Sequence, residues 1–134
     1  MQPYQGELKE VAKHNDDFRR VLFTGTNSQL VIMALPGGEE IGEEVHQVDQ
    51  ILYAVEGDGE AFLDGRRMSF EKGDAVAVPA GTRHNIRNAE KKPLKLFTVY
   101  APPQHPAGSV HHTKAEALAA EAKEPVGGGR HQPS

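Results

Sequence analysis

Short apolar stretches separated by Gly, Pro, Asn and Asp run along most of this chain, in the pattern of strands and tight turns. RRVLFTG (19–25) and SQLVIMAL (28–35) read as two strands around a Thr-Asn-Ser turn. Residues 43–46 and 50–56 read as two more. GEAFLDGRRMSF (59–70) reads as a hairpin with Asp64-Gly65 at its tip, a pair suited to the positive backbone angles of a two-residue turn. Lys72-Gly73-Asp74 turns into AVAV (75–78), Pro79-Ala80-Gly81 turns into residues 83–87, and LKLFTVY (94–100) is the last clear strand. Many short strands at close spacing predict an all-β sandwich or barrel.

ILYAV (51–55) departs from the alternation, because it is apolar at every position. A strand with one wet face should alternate, so this one is expected to be covered on both sides. Tyr53 has the opposite parity from Gln50 and belongs to the outer layer, which calls for a second sheet or a second subunit. The first twenty residues begin polar and are expected to form an N-terminal extension or an extra edge strand, with the barrel over 21–103.

Past Tyr100 the composition shifts to a Pro-rich loop and then to Ala, Glu and Lys, over 104–126. Thr113 followed three residues later by Glu116 is a capping box, so 114–123 should form a short helix stopped by Pro125. The tail 127–134 (GGGRHQPS) is expected to be disordered. His105, His111 and His112 fall in this region, and a His-His pair in a surface loop is more often solvated or structural than a ligand set.

Length and charge narrow the classes. A chain of 134 residues fits one domain. Its formal net charge of −4 offers no basic patch for nucleic acid. No apolar run approaches the roughly 18 residues needed to span a bilayer. The N-terminus lacks the basic and then apolar regions of a signal peptide, so the cytoplasm is the expected location. The chain has no cysteine, which excludes disulfides and thiolate ligands.

Gly73 to Asn88 reads GDAVAVPAGTRHNIRN, of the form G-x5-P-x-G-x2-H-x3-N. It resembles the second signature motif of the cupin superfamily, with Gly73, Pro79, Gly81, His84 and Asn88 all in place. The family's first motif is G-x5-H-x-H-x3-E-x6-G. Aligned on Gly57, its glutamate slot falls on Gln50, its second histidine on His46, its first histidine on Glu44, and its leading glycine on Gly38. The resemblance covers about Leu30 to Pro103. It implies a double-stranded β-helix, or jelly-roll barrel, with a short C-terminal helix. It also implies a ligand set of Glu44, His46, Gln50 and His84, and a dimer formed through strands such as ILYAV.

The altered ligands are chemically workable. In a strand Glu44, His46 and Gln50 share one face, and carboxylate, imidazole and amide oxygen all bind divalent first-row metals. Glu44, His46 and His84 alone make a two-histidine-one-carboxylate set that suits non-haem Fe(II). Donors without sulfur leave Fe, Mn, Ni, Co and Zn open. One carboxylate against a divalent cation leaves residual positive charge, which favours an anionic or chelating ligand. Asp49 has the wrong parity for this face. Leu52 and Ala54, in parity with Gln50, and Ile86, in parity with His84, are expected to wall a small apolar pocket for a small molecule. Arg83 and Arg87 should point away from it, and Asn88 should serve a turn. Glu44, as an alternative to its role as ligand, and a metal-bound hydroxide are the only credible general bases.

Three functions remain. The first is a metal-dependent enzyme on a small oxygenated metabolite, with Lewis-acid chemistry like that of cupin sugar isomerases. The second is an Fe(II)-dependent dioxygenase. The third is a non-catalytic barrel that binds or senses a small ligand.

Overall fold

Alternating burial along the strands closes two antiparallel sheets around one apolar interior in the computed structural model, which describes residues 2–123. Strands β1 (Arg19–Thr24), β2 (Gln29–Leu35), β3 (Asp49–Glu56), β6 (Ala75–Val78), β8 (Leu94–Ala101) and β9 (Val110–His111) form one sheet, in the order β6-β3-β8-β2-β1-β9. Strands β4 (Asp58–Leu63), β5 (Arg66–Glu71) and β7 (His84–Arg87) form the other, in the order β5-β4-β7. Helices α1 (Leu8–Lys13) and α2 (Lys114–Lys123) complete the chain. This is the all-β jelly-roll barrel with a short C-terminal helix implied by the motif resemblance. Val31, Met33, Leu52, Phe70, Ile86 and Leu96 fill its interior at 2% exposure or less. Burying each such side chain contributes roughly 1.5–3 kcal/mol.

The turns form where the residue types direct them. Asp64 (φ 50°) and Gly65 (φ 82°) make the tip of the β4–β5 hairpin, with Leu63 opposite Arg66. At α2, Thr113 Oγ1 accepts from the Glu116 amide at 3.1 Å. The return bond from Glu116 lands one residue earlier than in a standard capping box, on the amide of His112. Pro125 and the tail 127–134 lie outside the described residues.

The N-terminal segment supplies no extra edge strand. Leu8–Lys13 coils into α1, which lies on the outer face of the six-stranded sheet, where Ala12 packs with Ile32, Val55, Tyr53 and Phe97. Lys95, on that outer face, is 6% exposed and ties the segment down through its ammonium group, which donates to the Asn15 carbonyl and to Asp16 Oδ1. The edge position beside β1 is taken by β9.

The all-apolar strand is also covered differently from expectation. Tyr53 stacks on Phe97 at 5.0 Å and Val55 is buried, because α1 covers that end of β3. Ile51, beyond the reach of α1, stays 49% exposed. Nor is there a strand over 43–46. Glu44 forms an isolated bridge with His84, beside the three-stranded sheet, and the chain bends at 47–48 before β3 starts at Asp49 in the six-stranded sheet. The segment is crossing between sheets, so it cannot run as one continuous strand.

Candidate metal centre

Backbone pairing brings the first two ligand types together. The Glu44 amide donates to the His84 carbonyl and the His84 amide donates to the Glu44 carbonyl, both at 2.9 Å. Directly opposed residues in such a pair present their side chains to the same face. His46, two residues on, joins them, and its carbonyl accepts from the Gly81 amide at 2.8 Å. The Pro79-Ala80-Gly81 turn is therefore bonded to the segment carrying His46. Asp49 helps hold that turn, accepting from the Ala80 amide at 3.0 Å, and does not enter the site.

One ligand-type atom each from Glu44, His46 and His84 lies within 4.8 Å of the other two. Both histidines are buried and Glu44 is partly buried. His84 Nδ1–H donates to the Thr82 carbonyl at 2.9 Å, which leaves the buried Nε2 lone pair with no hydrogen-bond partner among the described residues. A backbone carbonyl on the far nitrogen is the usual way a ligating imidazole is oriented. His46 Nε2 meets Glu44 Oε1 at 3.2 Å, and the two imidazole rings are 5.3 Å apart. The donor set fits a divalent first-row ion: two imidazoles, one carboxylate, and at His84 Nε2 a lone pair without a proton to accept.

The electrostatics favour the ligand forms of these groups. For Glu44, burial pushes the carboxyl up, but the hydrogen bond from His46 and the charges of His46, Arg19 and His84 outweigh it and hold it below the usual range. For His84, burial is the main cause of a lowered pKa, helped by His46 and opposed by the Thr82 carbonyl and Glu44. Tyr100, whose ring meets His46 edge-on at 5.8 Å, is pushed far up by burial and stays a neutral phenol.

Gln50 comes from the other sheet. It stands opposite Tyr100 on β8, is 3% exposed, and donates from Nε2 to Thr98 Oγ1 at 3.1 Å, while its Oε1 is buried without a hydrogen-bond partner among the described residues. Leu52, Ala54 and Ile86 all lie in the interior apolar cluster. Arg83 reaches outward to Glu43, and Arg87 is exposed. Asn88 is fully buried and serves the turn, donating to the carbonyls of Leu35 and Lys92 and accepting from the Glu90 amide. Of the remaining histidines, His105 packs edge-on against Tyr100, His111 pairs with Arg19 in β9, and His112 meets Asp17 on the surface. None of them joins the Glu44 group among the described residues.

One interior charge escaped the sequence reading. Arg19 shares a strand face with Val21 and is 3% exposed. The alternation of Arg19, Arg20, Val21 and Leu22 allows that placement, but arginine is almost never fully buried unless paired. Its partner, Glu121, is 102 positions away.

A family model described as a cupin domain matches residues 31–100. The chain belongs to the cupin family. This cupin is 42% identical over 126 residues to the Bacillus subtilis (strain 168) protein YrkC, covering 89% of this chain and 68% of YrkC. The crystal structure of BH2720 from Bacillus halodurans superposes with a TM-score of 0.85 at 42% identity, covering 88% of this chain and 95% of BH2720. The structure of a predicted oxalate decarboxylase from Thermotoga maritima is similar at a TM-score of 0.54 and 25% identity, covering 57% of this chain and 67% of that one. No helix of the cupin, among the described residues, is long and apolar enough to cross a membrane.

Proposed function

We propose that this cupin binds one divalent transition metal through Glu44, His46 and His84, with Gln50 as a weaker fourth ligand, and acts as an enzyme on a small oxygenated metabolite by isomerase-like Lewis-acid chemistry. The observations that carry the reading are the convergence of three ligand-type atoms within 4.8 Å and the buried Nε2 of His84, which has no hydrogen-bond partner among the described residues. When bound, the ion supplies Lewis acidity toward adjacent oxygens of the ligand. The Thr82 carbonyl fixes the His84 ring, and Glu44 is the carboxylate placed to ligate or to hold a proton. Leu52, Ala54 and Ile86 keep that end of the interior apolar, which strengthens every polar contact made there.

The two-histidine-one-carboxylate set also favours a second reading, an Fe(II)-dependent dioxygenase. Elemental analysis of untagged protein separates the two. Zinc, manganese or nickel near one per chain supports the Lewis-acid enzyme, whereas iron with oxygen uptake supports the dioxygenase. No metal, and none taken up on titration, would defeat both and leave a barrel that only binds small molecules. Within the ligand set, Gln50→Ala should weaken metal affinity less than His46→Ala does, because a neutral amide oxygen is the poorer donor. Equal or greater loss in the Gln50 variant, by competition with a chromophoric chelator, would make the amide a primary ligand.

The same reading takes the cupin as a homodimer through the outer face of β3. Ile51, an apolar side chain 49% exposed at mid-strand, supports it. Sedimentation at micromolar concentration should give twice the chain mass, shifting toward one chain mass in Ile51→Lys. A monomeric wild type removes the claim.

A further inference from the structure

Arg66 is an arginine without a counter-charge. Among the described residues Arg19, Arg20, Arg67, Arg83 and Arg87 each have a carboxylate oxygen within 4.0 Å, and Arg66 has none. It opens β5, directly after the Asp64-Gly65 turn, and is exposed. The tip it stands on is held in place, because the Asp64 amide donates to the Arg83 carbonyl at 2.9 Å. That bond ties the hairpin to the segment that carries Thr82 and His84.

Strand register puts Arg66 in the row of the ligand set. Arg66 stands opposite Leu63, Leu63 opposite His84, and His84 opposite Glu44. Opposed residues in antiparallel pairs present their side chains to one face. Here it is the inner face: Leu63 and Met68 pack against the interior cluster, Phe70 is buried within it, and Arg66, Met68 and Phe70 fall in step along β5. Arg67, one position on, lies on the other face and pairs with Glu60. The row also lies at the open rim. Exposure rises from Phe70 through Met68 to Arg66, and the Glu44 side chain at the far end of the row is 25% exposed.

The order along this row describes a ligand. Glu44 and His84 stand at its metal-binding end, Leu63 presents an apolar side chain next to them, and Arg66 comes last. Two strand spacings, about 10 Å, separate the backbones of His84 and Arg66. The charge that Arg66 meets therefore belongs to the far end of a molecule that crosses Leu63, not to oxygens bound at the ion. The stem of the arginine can lie along Leu63 while its head stays at the rim. One guanidinium with no second cation in its row matches a single negative charge, and its fork fits the two oxygens of a carboxylate.

We infer that Arg66 is a specificity residue of the proposed site, selecting a short acid with chelating oxygens at one end, a carbon stretch over Leu63, and a carboxylate at the other end. This deepens the proposed function and rests on it for the chelated end.

The test is calorimetric titration of manganese-loaded protein with 2-oxoglutarate and with 2-oxopentanoate, which keeps the chelating end and chain length and replaces the far carboxylate with a methyl group. Wild type at low salt should prefer the diacid about fivefold, the upper range for an exposed ion pair. The preference should shrink to about twofold or less in about 1 M sodium chloride, where exposed charges are screened. Arg66→Gln should erase it without moving 2-oxopentanoate affinity or manganese stoichiometry. Arg66→Lys should keep part of it, as a charge without the fork. Arg67→Gln removes the same charge from the opposite face and should keep it in full.

Equal binding of the two acids to wild type, a preference that survives in Arg66→Gln, or the same loss in Arg67→Gln would overturn the assignment. So would manganese-loaded protein that binds neither acid at tens of millimolar, which leaves the metal reading intact. Wild type that takes up no manganese removes the metal reading and the diacid class together. Manganese stoichiometry, measured first, tells these two failures apart.

Discussion

Replacing His84 with alanine is expected to abolish stoichiometric metal while leaving a folded β protein. The imidazole supplies an interior lone pair with no hydrogen-bond partner among the described residues, so its removal takes away a ligand and no packing bond beyond the Nδ1 contact to Thr82. The backbone pair that joins Glu44 to His84 uses main-chain atoms only and survives the substitution. Loss of one of three protein ligands should lower metal affinity by at least about a hundredfold, on the scale by which even outer-shell changes cost ten- to a hundredfold. Elemental analysis and circular dichroism check the two halves. Full metal retention would sink the site.

Acid should imitate that substitution in wild type. The ordinary histidine value is 6.5 and burial lowers that of His84, so the unfolded chain takes up the proton first as pH falls below 6.5. Folding stability from this group is therefore intact above pH 6.5 and declines as pH falls toward the lowered value. Glu44, also lowered, adds stability that is present above the ordinary carboxylate value and lost as pH falls through its folded one. Both groups must shed protons to ligate, so metal retention should hold at pH 6.5 and fail on further acidification.

Gly57→Ala is expected to be a strongly damaging change away from the site. Gly57 has φ +101°, between β3 and β4, and an added Cβ would lie 2.7 Å from the Pro93 carbonyl oxygen and 3.1 Å from Leu94 Cα. Both are backbone atoms in or next to β8, which cannot yield like the end of a side chain. Backbone strain alone costs about 1–3 kcal/mol. With the clash added, the loss should be on the order of 3 kcal/mol or more, a large share of a typical domain's stability of about 5–15 kcal/mol. Gly73→Ala is the control: its φ is +94°, but nothing lies within 4 Å of the new Cβ, so only the strain remains. Urea denaturation should rank Gly57→Ala well below Gly73→Ala. Equal losses would remove the steric part of the explanation.

Both glycines belong to the motif positions that first singled this chain out, and the structure shows the physical need at each. The same holds for Gly81, at φ +86°, whose amide closes the turn onto His46. Asn88, itself fully buried, satisfies three backbone groups around its turn. Such residues are legible in a sequence because a positive φ or a buried side chain that must bond a turn's backbone restricts the residue type at one position, whatever lies far away. The ladder of short strands and the Asp64-Gly65 tip were legible for the same reason, since their periodicity is local.

Glu44, His46 and His84 could be grouped from the resemblance to the two family motifs, but the strand parity that put Glu44, His46 and Gln50 on one face was incomplete. No continuous strand runs from Glu44 to Gln50. A bridge across to His84 aligns Glu44, and the chain then changes sheets before Gln50. The position of α1 over Tyr53 and Val55, the exposure of Ile51, and the buried ammonium of Lys95 were likewise decided by tertiary packing. Arg19 is the sharpest case. The pattern of the chain determined the strand it sits on and its parity with Val21. Whether a charge can occupy the inner face depends on a counter-charge to offset desolvation, and that comes from Glu121 on α2, 102 positions along the chain.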